Sequence, residues 1–188
     1  HYEILASVGV GGMGEVWRAR HRMLARPAAI KLIRPSLTRH SGPASAESAV
    51  RRFEREAQAT ARLRSPHTVE LFDFGIAADG TFYYVMELLD GLDADSLLQQ
   101  FGPVPAERAV HVLRQVCHSL SEAASCGLVH RDIKPANIFL CRYGEEFDFV
   151  KVLDFGIVRG PTDSGLALTG ENAVQGTPAF MAPEQAMG

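Results

Sequence analysis

Short apolar runs alternate with polar residues through the first ninety positions, which is the pattern of β-strands. YEILASVG, EVWRARH and PAAIKLIRP follow one another, separated by glycines or by a basic turn. VELFDFGIAADG and TFYYVMELL form a further pair, joined by Asp79-Gly80. The pattern predicts a β-rich lobe over residues 1–88.

One helix is predicted inside this lobe, in the segment RRFEREAQATARLRSP, which has helical periodicity. The residues expected on its inner face are Phe53, Ala57, Thr60 and Ala61. SLTRHSGPASAESAV, just before this helix, is rich in Ser, Ala and Gly, and we interpret it as a flexible connection.

After residue 90 the pattern becomes helical. DADSLLQQFG and PAERAVHVLRQVCHSLSEAASCG predict two helices, with Pro105 suited to a helix start and Gly127 to a helix stop. Short apolar runs and loops alternate over 128–158, and GPTDSGLALTGENAVQGTPAF is typical of an extended loop. We expect an α+β fold with lobes at 1–88 and 89–188, and a ligand site in the cleft between them.

Composition and charge narrow the class of protein. The 188 residues are 46% hydrophobic without a run of 18 apolar residues, and no basic-then-apolar leader is present, so no membrane segment is expected. Three cysteines without CxxC spacing favour a reducing, cytoplasmic compartment, and we interpret them as core residues. Residues 1–64 carry 12 basic and 5 acidic side chains, but the arginines are scattered along this stretch, so no nucleic-acid partner is expected.

The stretch VGVGGMGEV fits G-x-G-x-x-G at Gly9, Gly11 and Gly14. Glycines let a backbone approach phosphates closely and donate N–H groups to them. Because EVWRAR continues as a strand, the motif favours a glycine flap between two strands over a dinucleotide-binding turn. A glycine-rich hairpin without a ligand is the alternative.

Lys31 ends the apolar strand AAIK. An ammonium on the buried side of a strand is costly unless it meets an anion, and Glu56 of the predicted helix or a phosphate would serve. A surface Lys whose ammonium reaches solvent is the alternative.

HRDIKPAN places Asp132, Lys134 and Asn137 on a loop that Pro135 keeps from being a plain helix. An Asp can accept a hydroxyl proton, and an Asn carbonyl can bind a hard cation such as Mg²⁺. Only three of the 19 basic residues are Lys, and a Lys here supplies a compact charge for a phosphate. A loop with purely structural hydrogen bonds is the alternative, and we interpret His130 as a packed core residue.

In VLDFG, Asp154 follows an apolar strand and presents a carboxylate suited to a metal, a plain Asp turn being the alternative. Taken in order, the glycine loop, strand Lys, helix Glu, HRD…N, DFG and APE motifs resemble the eukaryotic-like protein kinase family over the whole chain. Lys134, two residues after the Asp, is similar to the Ser/Thr-directed members. GGMGEV, RFEREA and GTPAFMAPEQ look like the bacterial Ser/Thr kinases.

The resemblance implies a two-lobed protein-kinase-like fold with a complete β-rich N-lobe and a partial helical C-lobe. Lys31 would hold the α- and β-phosphates of ATP and pair with Glu56. Asp132 would accept the substrate hydroxyl proton, and Lys134 would stabilise the γ-phosphoryl group. Because the chain ends soon after APE, we expect a segment of a longer kinase that is poorly soluble or inactive alone.

Asn137 and Asp154 would hold Mg²⁺, for which Mn²⁺ could substitute. The resemblance also implies a set of residues around the nucleotide, drawn from the glycine loop, the sheet and the chain between the lobes. These residues are Val8, Gly9, Gly11, Gly12, Gly14, Val16, Ala29, Lys31, Met86, Glu87, Leu89, Asp93 and Phe139.

Arg131, directly before the catalytic Asp, implies regulation by phosphorylation of the activation loop. Thr169 is the favoured phosphorylation site, and Thr177 is expected to contact Asp132 and Lys134. The expected partners are ATP, protein Ser/Thr substrates and a second kinase copy for autophosphorylation.

Two other functions are weighed against this one. A pseudokinase, which is a binding or scaffold module, would be expected to lack one of the residues that handle phosphate, proton and metal. A small-molecule kinase would be expected to lack Lys134, Thr177 and the APE segment. The sequence therefore favours a protein Ser/Thr kinase in signal transduction, cytoplasmic or the cytoplasmic part of a membrane-anchored protein.

Overall fold

The computed structural model describes residues 1–11, 14–33, 43–155 and 178–184. The chain divides into two compact units. The first contains residues 1–64 and 69–90, and the second contains residues 65–68 and 91–188. Three predicted site residues lie outside the described residues, namely Gly12, Thr169 and Thr177.

The first unit is built on a five-stranded antiparallel sheet with the strand order β1-β2-β3-β5-β4. Its strands are β1 Tyr2–Gly11, β2 Gly14–His21, β3 Pro27–Ile33, β4 Leu71–Ile76 and β5 Phe82–Met86. Each strand predicted before residue 90 is confirmed. The turn between β4 and β5 is formed as predicted, since Gly80 has a φ of 84° and the N–H of Thr81 donates to the Asp79 carboxylate at 2.9 Å.

One face of this sheet carries a small apolar core. Ala19, Ala28, Ile30 and Val85 are buried there, with larger side chains packed against them. Because side chains alternate along a strand, the residues between these positions lie on the opposite face. That opposite face carries the predicted ligand residues of β3.

Helix α1 spans Pro43–Thr60, so it begins well before the predicted start. The interpretation of residues 43–50 as a flexible connection is wrong. Pro is tolerated in the first turn of a helix, where its missing N–H would have no partner, and Ala is the strongest helix former. The Ser, Ala and Pro content that suggested a loop is therefore also a good start for a helix.

The inner face of α1 packs on the sheet through Phe53. Its ring lies 4.4 Å from the ring of Phe82 and 4.7 Å from that of Tyr84, measured between centroids. Ala57 is buried on the same side as predicted, but Ala61 is exposed because the helix ends one residue before it. The helix therefore lies on the sheet face that carries Phe82 and Tyr84.

In its described residues, the second unit contains a three-stranded sheet in the order β6-β7-β8 and two helices. Its elements are β6 Gly91–Asp93, α2 Ala94–Phe101, α3 Ala106–Ser125, β7 Ile138–Tyr143 and β8 Glu146–Val152, with 3₁₀ turns at Pro135–Asn137 and Pro178–Phe180. The sequence predicted both helices and an apolar strand just before Asp154, which matches the end of β8, but it predicted neither β6 nor β7. β6 is too short to show a pattern, and the apolar run of β7 lies among loops and does not alternate in polarity.

Helix α3 has the predicted ends. Pro105 directly precedes it, and Gly127 follows it with a φ of 73°, the left-handed conformation that favours glycine. The helix holds β8 through the Gln115 side chain, which donates to the Asp148 carbonyl at 2.9 Å and accepts from the Val150 N–H at 3.0 Å. This attachment fixes the strand that leads into the predicted metal residue.

The cysteines only partly match the expectation of core residues. Cys141 is buried in β7, and its thiol donates to the Phe149 carbonyl at 3.0 Å, whereas Cys117 and Cys126 are exposed. The interpretation is therefore wrong for these two, because α3 and its C-terminal end are covered by the unit on one side only. No helix in the described part of the chain is long and apolar enough to span a bilayer.

Candidate active site

The loop HRDIKPAN brings the predicted catalytic side chains together within the second unit. The Lys134 ammonium lies 3.1 Å from the Asp132 carboxylate. The Asn137 amide nitrogen donates to the Asp132 carbonyl at 2.7 Å and to its carboxylate at 3.2 Å. A carboxylate between an ammonium and an amide N–H is held in one orientation, which is what a positioned proton acceptor needs.

Backbone hydrogen bonds fix Asn137 in this arrangement. Its N–H donates to the Lys134 carbonyl at 2.9 Å, closing the 3₁₀ turn that begins at Pro135. Its carbonyl accepts from the N–H of Leu153 at 2.9 Å. Because Asn137 is buried and its nitrogen is used by Asp132, its side-chain oxygen is the atom available to a ligand.

His130 supports the loop from below and is the packed residue that the sequence predicted. Its Nε2 donates to the Leu153 carbonyl at 2.7 Å, and its Nδ1 accepts from the Asp132 N–H at 3.3 Å. Burial lowers the pKa of His130, and its ring lies 4.7 Å from that of Phe155. A neutral ring with one donor and one acceptor satisfies both bonds.

Two residues of the site have unusual backbone angles. Arg131 has a φ of 63° and Asp154 has a φ of 56°. Residues other than Gly rarely adopt this left-handed conformation, and such residues concentrate at functional sites. Asp also tolerates this conformation in ordinary turns, so the metal-binding role of Asp154 stays a prediction.

The donor atoms of Asn137 and Asp154 fit a magnesium ion. One supplies an amide carbonyl oxygen and the other a carboxylate, and Mg²⁺ prefers oxygen ligands. The described residues contain no cluster of three or more His, Cys, Asp or Glu side chains that could hold a metal. Mg²⁺ is typically bound by one or two carboxylates together with waters and substrate phosphates, so a sparse protein ligand set is the expected one. The assignment of Asn137 and Asp154 as metal ligands remains a prediction.

In the first unit, strand register places the predicted ligand residues on one face of the sheet. Lys31 is opposite Val16 on one side and opposite Tyr84 on the other, and Ala29 is opposite Met86. Directly opposed residues share a face, and so do residues two apart in a strand. Val16, Ala29, Lys31 and Met86 therefore form one surface.

Lys31 is buried on this face, with 8% of its surface exposed, so it is not the solvated surface Lys of the alternative. Glu56 is half-buried on α1, three residues after Phe53, which packs on Tyr84 of the same sheet face. Residues three apart in a helix share a side. The fold thus directs Glu56 toward the face that bears Lys31, and the ion pair itself stays a prediction.

The glycine motif lies on the β1–β2 hairpin, as the strand pattern predicted. Gly9 is opposite Val16 and Gly11 is opposite Gly14. A Cβ at Gly14 would overlap the carbonyl of Leu32, so only glycine fits there, whereas a Cβ at Gly9 or Gly11 would meet nothing within 4 Å. Packing explains Gly14 but not the other two, which is consistent with an approaching ligand.

Three further predicted nucleotide residues, Glu87 in the first unit and Asp93 and Phe139 in the second, already have partners within their own unit. The N–H of Glu87 donates to the Glu70 carbonyl at 3.0 Å, and the predicted adenine contact of Glu87 stays a prediction. Asp93 caps α2 by accepting from the Ser96 N–H at 2.9 Å and from the Ser96 hydroxyl at 2.6 Å. Phe139 is opposite Asp93 in the sheet. A ribose contact by Asp93 would have to use the remaining lone pairs of its carboxylate.

The structure places three further predicted residues, but nothing tests their roles. Val8 is an exposed apolar residue of β1, and Leu89 is half-buried at the end of the first unit. Arg131 is exposed, but Thr169, the phosphorylation site expected to pair with it, lies outside the described residues, and so does Thr177. Sequence reasoning missed Leu153, whose backbone holds both Asn137 and His130, because a backbone role has no side-chain signal.

Comparison with known proteins identifies the family. A family model for the protein kinase domain matches residues 2–186. The serine/threonine-protein kinase Pkn3 of Myxococcus xanthus is 43% identical over 189 residues, covering 100% of this chain and 34% of that protein. PknB of Mycobacterium tuberculosis is 40% identical over 190 residues, covering 100% of this chain and 29% of that protein. The chain therefore spans only part of the length of these curated relatives.

Solved structures agree with the sequence matches. The kinase domain of Mycobacterium tuberculosis PknI has a TM-score of 0.73 and 29% identity, covering 86% of this chain and 60% of that chain. A structure of Rad53 in complex with AMP-PNP has a TM-score of 0.75 and 25% identity, covering 99% of this chain and 42% of that chain. The α+β, protein-kinase-like fold predicted from the sequence is confirmed, and the chain belongs to the protein kinase family.

Proposed function

We propose that this domain transfers the γ-phosphate of ATP to Ser and Thr hydroxyl groups of proteins. The observation that carries the proposal is the geometry of Asp132, whose carboxylate lies between the Lys134 ammonium at 3.1 Å and the Asn137 amide at 3.2 Å. Bacterial relatives named serine/threonine-protein kinases support this activity.

In the proposed reaction, the substrate hydroxyl oxygen forms a bond to the γ-phosphorus and the bond to the β-phosphate oxygen breaks. The hydroxyl proton passes to the Asp132 carboxylate, and ADP leaves with the electron pair of the broken bond. Lys134 offsets negative charge on the transferring phosphoryl group. A Lys is suited to this because its ammonium is a compact point charge with freely rotating donors.

ATP would be bound by residues of both lobes, for which we retain the boundaries 1–88 and 89–188. The sheet face of Val16, Ala29 and Met86 is apolar and suits a base, while the buried Lys31 on the same face suits the α- and β-phosphates. Mg²⁺ bound by Asn137 and Asp154 would neutralise phosphate charge, and Mn²⁺ has the same ligand preference. Rad53, a structural neighbour, binds the ATP analogue AMP-PNP, which supports a nucleotide in this fold.

Regulation by autophosphorylation at Thr169, in a homodimer, is part of the proposal. Arg131 is exposed and directly precedes Asp132, so a phosphate on the activation loop could pair with its guanidinium and order the site. Because the reaction consumes ATP, we place the domain in the cytoplasm.

The test is magnesium-dependent transfer of labelled γ-phosphate by the natural full-length protein to a Ser/Thr peptide library. Asp132→Asn keeps the shape but removes the proton acceptor, and we expect a loss of about 10²–10⁴-fold in kcat. Glu145→Gln is the matched control, because this carboxylate is exposed on the turn between β7 and β8. It should leave kcat unchanged.

The same assay separates the alternatives. A pseudokinase would bind ATP without magnesium-dependent transfer, and its behaviour would not change in Asp132→Asn. A small-molecule kinase would phosphorylate metabolites but no peptide. Mass spectrometry of the autophosphorylated protein tests Thr169, and absence of phosphate there would exclude that part of the proposal.

A further inference from the structure

Residues 65–68 belong to the second unit, although the chain on both sides of them belongs to the first. The N–H of Val152 donates to the His67 carbonyl at 2.8 Å, and Thr68 forms a parallel bridge with Val152. The hydroxyl groups of Thr68 and Ser119, both buried, lie 2.7 Å apart. The segment is thus attached to the end of β8 and to α3.

Ser65 attaches the start of this segment to two residues of α3. Its N–H donates to the Glu122 carboxylate at 2.6 Å, and its hydroxyl lies 3.0 Å from Nδ1 of His118. The same hydroxyl oxygen accepts from the N–H of His67 at 3.2 Å. With one donor and two lone pairs, the hydroxyl can accept from the His67 N–H and form a hydrogen bond with Nδ1 of His118 at the same time.

Two imidazole rings meet at this attachment. The rings of His67 and His118 lie 5.5 Å apart between centroids and are nearly perpendicular. Nδ1 of His67 lies 3.1 Å from the Val150 carbonyl, which can only accept, so this nitrogen carries the proton and donates. His67 is half-buried, and its ring also lies 4.8 Å from that of Phe149 in β8.

The charges around His67 disfavour a second proton on its ring. Burial lowers the pKa of His67 below its ordinary value of 6.5, and the nearby His118 and Lys151 lower it further. The bond to Val150 and the charge of Glu146 act in the opposite direction but do not reverse the shift. Glu122, the remaining acidic group at this attachment, is engaged by the Ser65 N–H.

We propose that the attachment of residues 65–68 to the second unit is acid-sensitive, and that His67, whose ring packs against that of His118, is the sensor. In the attached state the pKa of His67 lies below its ordinary value, so its ring is harder to protonate. In a detached state it would take up a proton at its ordinary pKa of 6.5. The attachment is therefore strongest above pH 6.5 and weakens as the pH falls below that value, by at most about tenfold per pH unit for one proton.

Detachment of residues 65–68 would remove a hydrogen bond next to the residue that supports the candidate active site. The N–H of Val152 would lose its His67 acceptor, and the next residue, Leu153, is the one that holds Asn137 and His130. The proposal concerns the attachment alone, so it does not depend on whether the domain transfers phosphate.

The test is hydrogen–deuterium exchange of the natural full-length protein, read by mass spectrometry at pH values about one unit above and one unit below the ordinary His value. Exchange times are scaled for the intrinsic pH dependence of amide exchange. In the wild type, we expect the opening of peptides covering 65–68 and 150–153 to increase up to about tenfold at the lower pH. A scaled exchange that does not change with pH would overturn the proposal.

Two variants assign the effect to the ring. His67→Gln can still donate to the Val150 carbonyl but does not titrate, so its scaled exchange should be independent of pH. His111→Gln is the matched control, because His111 is exposed on α3, the helix that carries His118, and has no contact with His67. Its exchange should respond to pH like that of the wild type. A wild-type response that persists in His67→Gln would overturn the assignment. If His67→Gln is misfolded, His118→Gln replaces it and should show a reduced response.

Discussion

The two units position their functional residues by different means. In the first unit, the ladder of backbone hydrogen bonds sets the register that places Val16, Ala29 and Lys31 on one face. In the second unit, residues 130–137 have no such ladder, and the side chains of His130 and Asn137 hold the loop by bonding to the backbone of Asp132. A side chain of the sheet face can therefore be changed without moving its neighbours, whereas a side chain of the loop carries both chemistry and geometry.

The largest expected effect comes from replacing Asn137, a loop residue whose side chain has both a predicted chemical role and a structural one. Asn137→Ala deletes a predicted metal ligand and both hydrogen bonds to Asp132. A displaced catalytic group of this kind typically costs about a hundredfold in rate, so we expect kcat to fall by at least that factor. Steady-state kinetics with the natural full-length protein measure it, and unfolding in urea reports the accompanying loss of stability.

Ala136→Ser is the matched control, since Ala136 is the exposed neighbour in the same turn. It should keep normal kcat and stability. Normal kcat in Asn137→Ala would contradict the claim that side chains of the loop, unlike those of the sheet face, carry both chemistry and geometry.

Within the first unit, two glycines of the β1–β2 hairpin can be compared, one held by packing and one expected to serve a ligand. Gly14→Ala would force a Cβ into the carbonyl of Leu32 at a φ of 150°, and we expect it to lower the free energy of unfolding by about 2 kcal/mol. Gly9→Ala has open space around its Cβ, so its effect on stability should be below about 0.5 kcal/mol.

Urea unfolding followed by circular dichroism compares these two variants. If Gly9 serves ATP, Gly9→Ala should instead raise KM for ATP, because a Cβ keeps the flap from approaching the phosphates. Equal stability losses in the two variants would contradict the assignment of Gly14 to packing and Gly9 to the ligand.

The same difference explains what the sequence could predict. The strands of the first unit alternate in polarity and end in glycines or turns, so β1 to β5 could be placed from pattern alone. The motif residues Asp132, Lys134 and Asn137 could be found because their chemistry is carried by side chains. The start of α1 was missed because Ser, Ala and Pro suit both a loop and a first helical turn.

What the pattern could not supply is the support of the loop. Leu153 acts through its N–H and carbonyl, which any residue would provide. Lys151 is buried, and its ammonium lies 3.5 Å from the Thr68 carbonyl. Local periodicity cannot predict a contact between residues so far apart in the chain. The attachment of residues 65–68 could not be predicted from the sequence either, because their partners lie more than fifty positions away in the chain.

The smallest expected effect concerns one ion pair from each unit. In the second unit, Arg108 forms two hydrogen bonds of 2.7 Å each to Asp148, whose side chain is 23% exposed. In the first unit, Arg20 meets Glu3 with a single contact of 3.0 Å, and both side chains are about half exposed, at 53% and 47%. Exposed pairs contribute little because water and salt screen them, whereas a bidentate geometry retains more of the attraction.

We therefore expect Arg108→Gln to lower the free energy of unfolding by about 1 kcal/mol and Arg20→Gln by no more than a few tenths, roughly the noise of urea unfolding. The Arg108 effect should shrink only partly at high salt, since Asp148 has a φ of 55° and the pair holds this strained residue against α3. Equal values for the two variants at low and high salt would mean that the second unit does not depend on side-chain attachments more than the first does.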